Sequence, residues 1–434
     1  MNDQTQPQNQ DAVLGGQAPP TGVVLGGLDG IKQQLASGVW NQQLSAAGKA
    51  IQYGEVGLDL LTSILKQEKL SQVHWAAYFA LAPVGEPEIQ TLVTQHCPYR
   101  SFRKLFTLKG RFTFAISPDS QHLVTYDTGS EGWFRESEKL KVWDLKTGNL
   151  LRSFRLGSTS TTREISASAI TVSPDGSHYF FGHPTYWEIP RVHVRSLSTG
   201  EIIETLQGRE ASDPTHSITL SQDGRYLAVG TESGFVEVWN LETRQFYFFK
   251  HGERTRVRFS PDGHYLVTES LKVLKVWRRA TGELLHTLSW AKEKEVRDGD
   301  IAFHINSIEK TIISVSARGM IHQWNLETGT QLLSSQLRAT PPKLPIQAAF
   351  SQDGQVLLLL DGSSQAEFWH WSTGKLLHSL QVDQRSYFNS VRFSSNGQFI
   401  VIYGSMETNR RRNQEPIYES SIQVWGMPSD SEGP

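Results

Sequence analysis

The 434-residue sequence predicts a mainly β fold: a seven-bladed β-propeller of four-stranded antiparallel blades, preceded by a small all-α segment of helical hairpins. Three observations carry that prediction. The stretch LKVWDLKTGNLLRSF (residues 140–154) recurs down the chain, as VEVWNLETRQFYFF, LKVWRRATGELLHTL, IHQWNLETGTQLLSS and AEFWHWSTGKLLHSL. With the worn copy VHVRSLSTGEIIETL and the terminal IQVWGMPSD, the repeated position falls at Trp143, Arg195, Trp239, Trp277, Trp324, Trp369 and Trp425. A turn of Ser-Pro-Asp-Gly type precedes six of these copies, at 117–120, 173–176, 221–224, 260–263, 351–354 and 394–397. Residues 27–98, by contrast, place their apolar side chains at helical spacing.

Composition narrows the function class. The formal net charge is −2 with 20% charged residues, so no global bias favours nucleic acid or an anionic membrane. A single cysteine, Cys97, excludes an internal disulfide framework and reads as a packing residue. The N-terminus has neither the basic nor the apolar region of a secretory signal, and no apolar run approaches the roughly 20 residues that span a bilayer. The expectation is a soluble, cytoplasmic protein without membrane insertion. Fourteen histidines are scattered without HExxH or paired CxxC spacing, and GxSxG, P-loop and Rossmann signatures are missing. No catalytic residue, cofactor or metal is therefore expected.

Taken in order, residues 1–26 read as a flexible Gln/Gly/Pro-rich arm in which VLGG occurs twice. Residues 27–100 form the helical unit. An internal period of 30 residues matches Ala46, Ala47 and Ala50 to Ala76, Ala77 and Ala80. Gly54 and Gly85 stand where helix C-caps belong, with Glu55 and Glu86 opening the next helices. Small residues on one helix admit a close partner, and the pattern resembles HEAT repeats. Two such repeats are fewer than independent stability usually needs, so the unit is expected to lean on a neighbour.

Residues 101–428 form the propeller, and 429–434 a tail. Proline fixes φ at the second position of a type I turn and glycine suits its end, so each repeat reads strand, SPDG turn, strand, loop, Trp strand, TG turn, strand. Two motifs recurring together resemble the WD-repeat propellers, and the resemblance implies a platform for protein partners. Only Trp143-Asp144 keeps the Trp-Asp pair, and no repeat places Gly-His before its first strand. The His–Asp–Ser/Thr–Trp network of that family is thus expected to be mostly missing, leaving stability to packing between blades. Only seven residues follow Met427, so the last blade lacks an outer strand of its own. FRKLFTLKGR (102–111) is expected to supply it, which would relieve an open sheet edge.

Blade polarity sorts the loops. The SPDG and TG turns share one face, and the long insertions (127–139, 183–191, 404–420) share the other, on blades one, two and seven. Those insertions carry Trp133, Phe134, Arg135, Tyr186, Trp187, Arg191, Arg410, Arg411 and Arg412, the aromatic and arginine types enriched at interface hot spots. Three arginines in a row make a local patch, not a nucleic-acid footprint. The reading is a non-catalytic protein–protein interaction scaffold with the helical unit near the rim of blades seven and one. The alternative is a propeller enzyme or small-ligand binder with its site at the channel mouth. Short HEAT-like segments joined to propellers are familiar in bacterial proteins, which sets the expectation of origin.

Overall fold

The computed structural model describes residues 27–427 except 39, 68–71, 83, 128–138, 156–169, 183–190, 209–212, 271–272, 290–301, 308, 317–318, 338–346, 353, 361, 363, 384–385 and 410–416. Seven antiparallel sheets of four strands each follow one another around an axis. In blades one to six, chain order runs from the inner strand to the outer one; blade one, for example, holds Phe112–Ile116, His122–Asp127, Lys139–Asp144 and Leu150–Arg155. Blade seven is assembled from both ends of the fold. Its first three strands are Ser386–Phe393, Phe399–Asn409 and Ile417–Gly426, and its outer strand is Arg103–Lys109. Register pairs Lys104 with Trp425, Phe106 with Val424 and Leu108 with Ile422, while Lys109 Nζ meets Glu419 Oε2 at 3.1 Å.

Side chains alternate along each strand, so each sheet feeds the two junctions beside it. Leu227 and Val229 pack toward blade two, whereas Ala228 packs toward blade four. Each junction holds one apolar cluster, and the repeated Trp faces the preceding blade: Trp239 joins blade two, Trp277 blade three, Trp324 blade four. This two-sided burial explains runs such as Val356–Leu360, in which every residue is buried. At the closure, Leu105, Phe106 and Leu108 pack on Phe112, Phe114, Val401 and Val424. Phe106 also lies over Gly148 of the first TG turn, where φ is +72° and an added Cβ would fall 2.6 Å from the ring. Blade three breaks this pattern. There Arg244 takes the glycine position at φ 60°, and its guanidinium pairs with Glu204 of blade two at 2.7 Å.

Five helices precede the ring: α1 (Gly27–Leu35), α2 (Trp40–Ile51), α3 (Glu55–Leu65), α4 (Gln72–Leu81) and α5 (Pro87–Gln95). Ala46, Ala47, Ala50, Ala76 and Ala77 have no exposed surface, which lets α2 and α4 approach closely. Gly57 of α3 goes further, since a Cβ there would stand 1.8 Å from the carbonyl oxygen of Ala50. Of the two expected glycine caps, Gly54 adopts a positive φ and Gly85 does not.

The helical core is continuous with the junction of blades six and seven, where Val356, Leu358, Phe368, Val391 and Ile402 join it. Tyr99 is the link: it meets Trp75 edge-on at 5.2 Å and stacks on Phe368 at 4.4 Å. Lys375 Nζ reaches the carbonyl of Gln90, and Phe79 and Trp75 approach Gly397 of the last SPDG-type turn. The expected seat beside blades seven and one is therefore corrected to blades six and seven. The closing strand does enter from the short-turn face, beside Gly426, but Phe102 and Tyr99 turn the preceding chain back over Phe368.

Candidate functional site

The serine of the SPDG-type turn is the residue that builds it. Ser173 Oγ donates to Asp175 at 2.5 Å and accepts the amide of His178 at 2.9 Å. Ser221 and Ser260 repeat both contacts, Ser394 repeats them with Asn396, and Ser117 binds Asp119 and the amide of His122. These hydrogen bonds hold the Asp175 carboxyl down to about 2, so this carboxylate is committed to the turn. In blades one, three and five the residue after the Trp caps the TG turn in a parallel way. Asp144 Oδ1 accepts the amides of Lys146 and Thr147, Asn240 those of Glu242 and Thr243, and Asn325 those of Glu327 and Thr328. The role needs a short side-chain acceptor, which asparagine supplies as well as aspartate; this is why the Trp-Asp pair can erode.

Blade four holds part of a network that the sequence seemed to lack. Trp277 Nε1 donates to Thr268 Oγ1 at 2.8 Å, and Thr268 Oγ1 lies 2.8 Å from His251 Nδ1. Burial pushes His251 down to about 4, so the ring that continues this chain is neutral near pH 7. Its signal was the KHG triplet ahead of the inner strand, with Gly after the histidine instead of before it. Elsewhere the Trp nitrogen has other partners: Thr125 for Trp143, Glu367 for Trp369 and Gln423 for Trp425. Cys97 is buried beside the Tyr78 hydroxyl, and burial raises its thiol pKa. That environment suits packing.

His370 occupies the turn-cap position of blade six, its Nδ1 beside Ser372 and Thr373. Burial, with Lys375 adding to it, lowers its pKa to about 4. In the unfolded chain the group titrates near the ordinary value of about 6.5, so unfolding takes up a proton between these values. Stability is complete above pH 6.5 and is lost as pH falls through 4. His370→Asn, matching Asn240 and Asn325, should melt progressively above the parent as pH drops from 7.5 to 4.5 in thermal scans. A constant difference across that range would remove His370 from the acid response.

The two faces differ in kind. Third-strand ends are tied to the neighbouring SPDG-type turn, as in Leu145 N to Gln121 O and Leu241 N to Arg225 O, which closes the short-turn face with backbone hydrogen bonds. Opposite it, blade seven's second and third strands run 11 and 10 residues, against five or six in most blades. The insertion at 404–420 was expected to be loop, yet Ser405 pairs with Ser420, Met406 with Glu419 and Asn409 with Ile417. Continued cross-strand pairing makes it a ribbon, at roughly 3.3 Å rise per residue. Residues 410–416, with Arg410, Arg411 and Arg412, join its two ends and lie outside the described residues. Trp133, Phe134, Arg135, Tyr186 and Trp187 likewise lie outside them, and Arg191 opens the third strand of blade two with its side chain undescribed. The structure thus locates the stems of all three insertions on one face.

A second surface was missed in the sequence. Most exposed large apolar side chains lie on outer strands: Leu150, Leu151, Ile202, Ile203, Phe248 and Leu332 are 40–55% exposed. Alternation on an outer strand looks like core patterning, and only the sheet order reveals that the edge is bare. Among the described residues, no helix is long and apolar enough to cross a membrane, and no group of three or more His, Cys, Asp or Glu gathers to hold a metal.

Seven four-stranded blades with a recurring Trp strand define a repeat propeller, and sequence comparison agrees. The family model for the WD domain, G-beta repeat, matches residues 200–240, the outer strand of blade two and the first three of blade three. The protein groucho of Drosophila melanogaster is 32% identical over 174 residues, 39% of this chain and 21% of that protein. Apoptotic protease-activating factor 1 of Rattus norvegicus is 23% identical over 249 residues, 56% of this chain and 19% of its own length. The U3 small nucleolar RNA-associated protein 4 homolog of Mus musculus is 25% identical over 196 residues, covering 43% and 28% respectively. The chain therefore spans 19–28% of the length of these relatives. It is a seven-bladed β-propeller whose repeats are similar to those of the WD-repeat family.

Proposed function

We propose that this chain is a non-catalytic protein-interaction scaffold whose partner docks on the long-loop face across blades seven, one and two. WD-repeat relatives support a scaffold role in general. The observation that carries the finer reading is the asymmetry of the faces. One is closed by turn-to-turn hydrogen bonds and partly covered by the helical unit, while the other bears three insertions and the blade-seven ribbon. A rigid scaffold presenting irregular loops is the usual division of labour in binding proteins. Trp133, Phe134 and Trp187 are the proposed apolar anchors, with Arg135, Tyr186, Arg191 and Arg410–Arg412 around them. The helices, read as two HEAT-type hairpins, offer a second platform at Tyr53 and Val56, which are 46% and 60% exposed.

Affinity capture with mass spectrometry identifies the partner, and the Trp133→Ala, Trp187→Ala double variant tests the face. Loss of two aromatic anchors at roughly 2 kcal/mol each should weaken capture beyond detection while the melting curve stays unchanged. Capture at parental levels by a folded double variant would move the docking surface elsewhere.

A further inference from the structure

The inner strands of the seven blades border the central channel, and register identifies one equivalent position on each. It lies two residues before the turn serine: Ala115, Thr171, Thr219, Arg258, Ala349 and Arg392. In blade five the serine is missing. Ile305 pairs with Ile312 there as Phe259 pairs with Leu266 in blade four, which places His304 in the ring. Four of the seven positions carry the short side chains of alanine or threonine, Ala115 being buried in the junction of blades one and two. Two are arginines, on blades four and seven.

Both guanidiniums are oriented by the fold. Arg258 Nη1 donates to the carbonyl of Phe303 at 2.9 Å, and its guanidinium lies 4.9 Å from the centre of that ring. Arg392 lies 5.4 Å from the centre of the Phe114 ring. Arg258 keeps exposed surface although protein surrounds it, as expected of a group opening into a channel. Burial first, then repulsion from Arg258 and Arg256, brings Arg392 down to about 10, so the blade-four arginines act on the arginine of blade seven. Arg256 sits one inward-facing step farther from the turns, opposite Glu269 in register. Burial holds His304 at about 4, so it adds no charge at neutral pH. Among the described residues the inner strands carry no aspartate or glutamate, and the acidic neighbour of Arg258 is Glu269, on the second strand of blade four.

We infer that the channel holds an oxyanion site in which Arg258 and Arg392, with Arg256 behind them, bind a phosphoryl group, either free or carried on a small metabolite. Guanidinium forks match tetrahedral oxyanions in a bidentate manner, and an enclosed, low-dielectric lumen strengthens the attraction. A phosphoryl dianion would also relieve the repulsion between the two arginines. The site is independent of the partner face, because it lies at the short-turn end of the channel.

The test uses the full chain, titrated calorimetrically with inorganic phosphate and with glycerol phosphate, each against sodium chloride at matched ionic strength. Saturable one-to-one binding and a rise in melting temperature are expected. Binding of phosphate alone assigns the free ion, and stronger binding of the ester assigns a metabolite. Arg258→Gln and Arg392→Gln should each weaken binding roughly tenfold or more, and Arg392→Gln should melt no lower than the parent in chloride. Arg244→Gln, which changes a rim arginine, should bind as the parent does. Arg392→Lys keeps the charge but not the fork, and intermediate binding is expected of it. The absence of heat and of a phosphate-specific shift in the parent overturns the inference, as does unchanged affinity in either glutamine variant.

Discussion

Replacing residues 103–109 by a glycine-serine segment of equal length should lower the melting temperature on the order of 10 °C or more. The substitution preserves the connection to the helices but removes the outer strand of blade seven. Backbone groups of Ile422–Gly426 lose their partners, and Leu105, Phe106 and Leu108 leave the cluster that joins blades seven and one. An open edge also invites pairing between molecules, so light scattering should rise on heating. Gly148→Ala is the milder companion. Its Cβ would strike Phe106 of the closing strand, and the left-handed φ adds strain, for a cost of about 1–3 kcal/mol. If both variants melt with the parent, the ring does not depend on this strand.

Trp75→Ala should be the most damaging single substitution in the helical unit, costing about 3–5 kcal/mol. Trp75 has no exposed surface and contacts Phe79, Tyr99 and Phe102 with ring centroids 5.2–5.9 Å apart. The aromatic chain continues through Tyr99 to Phe368 and Phe393, which belong to blades six and seven. Amide exchange should therefore quicken in α4 and also in strands Val356–Leu360 and Gln365–His370. Faster exchange confined to the helices would show that the unit is carried by the propeller without supporting it.

Much of this fold was legible because local chemistry repeats. Trp strands, glycine-bearing turns and alternating apolar runs announce the blades one by one, and the missing outer strand was countable. The helical seat was not legible: FRKLF tells which strand closes the ring, while Tyr99 stacking on Phe368 depends on a contact across 269 positions of chain. The blade-seven ribbon escaped because polar Ser405, Glu407, Ser420 and Glu419 look like loop until they are paired. The His251–Thr268–Trp277 chain escaped because its histidine precedes glycine. Blade polarity and insertion length mark the long-loop face, but within those loops only residue type points to candidates, since insertions have no periodicity from which to read a conformation.

By itself, then, the sequence determined the number of blades, the turns and the strand that closes the ring. These depend on φ preferences and on alternation within a few residues. Tertiary structure decided which junction the helices join, that outer-strand leucines and phenylalanines stay exposed, and that Arg258 and Arg392 take equivalent inner-strand positions in one ring although 134 positions separate them. Closing a ring brings together groups that no local pattern relates, and their charge and burial exist only once it is closed.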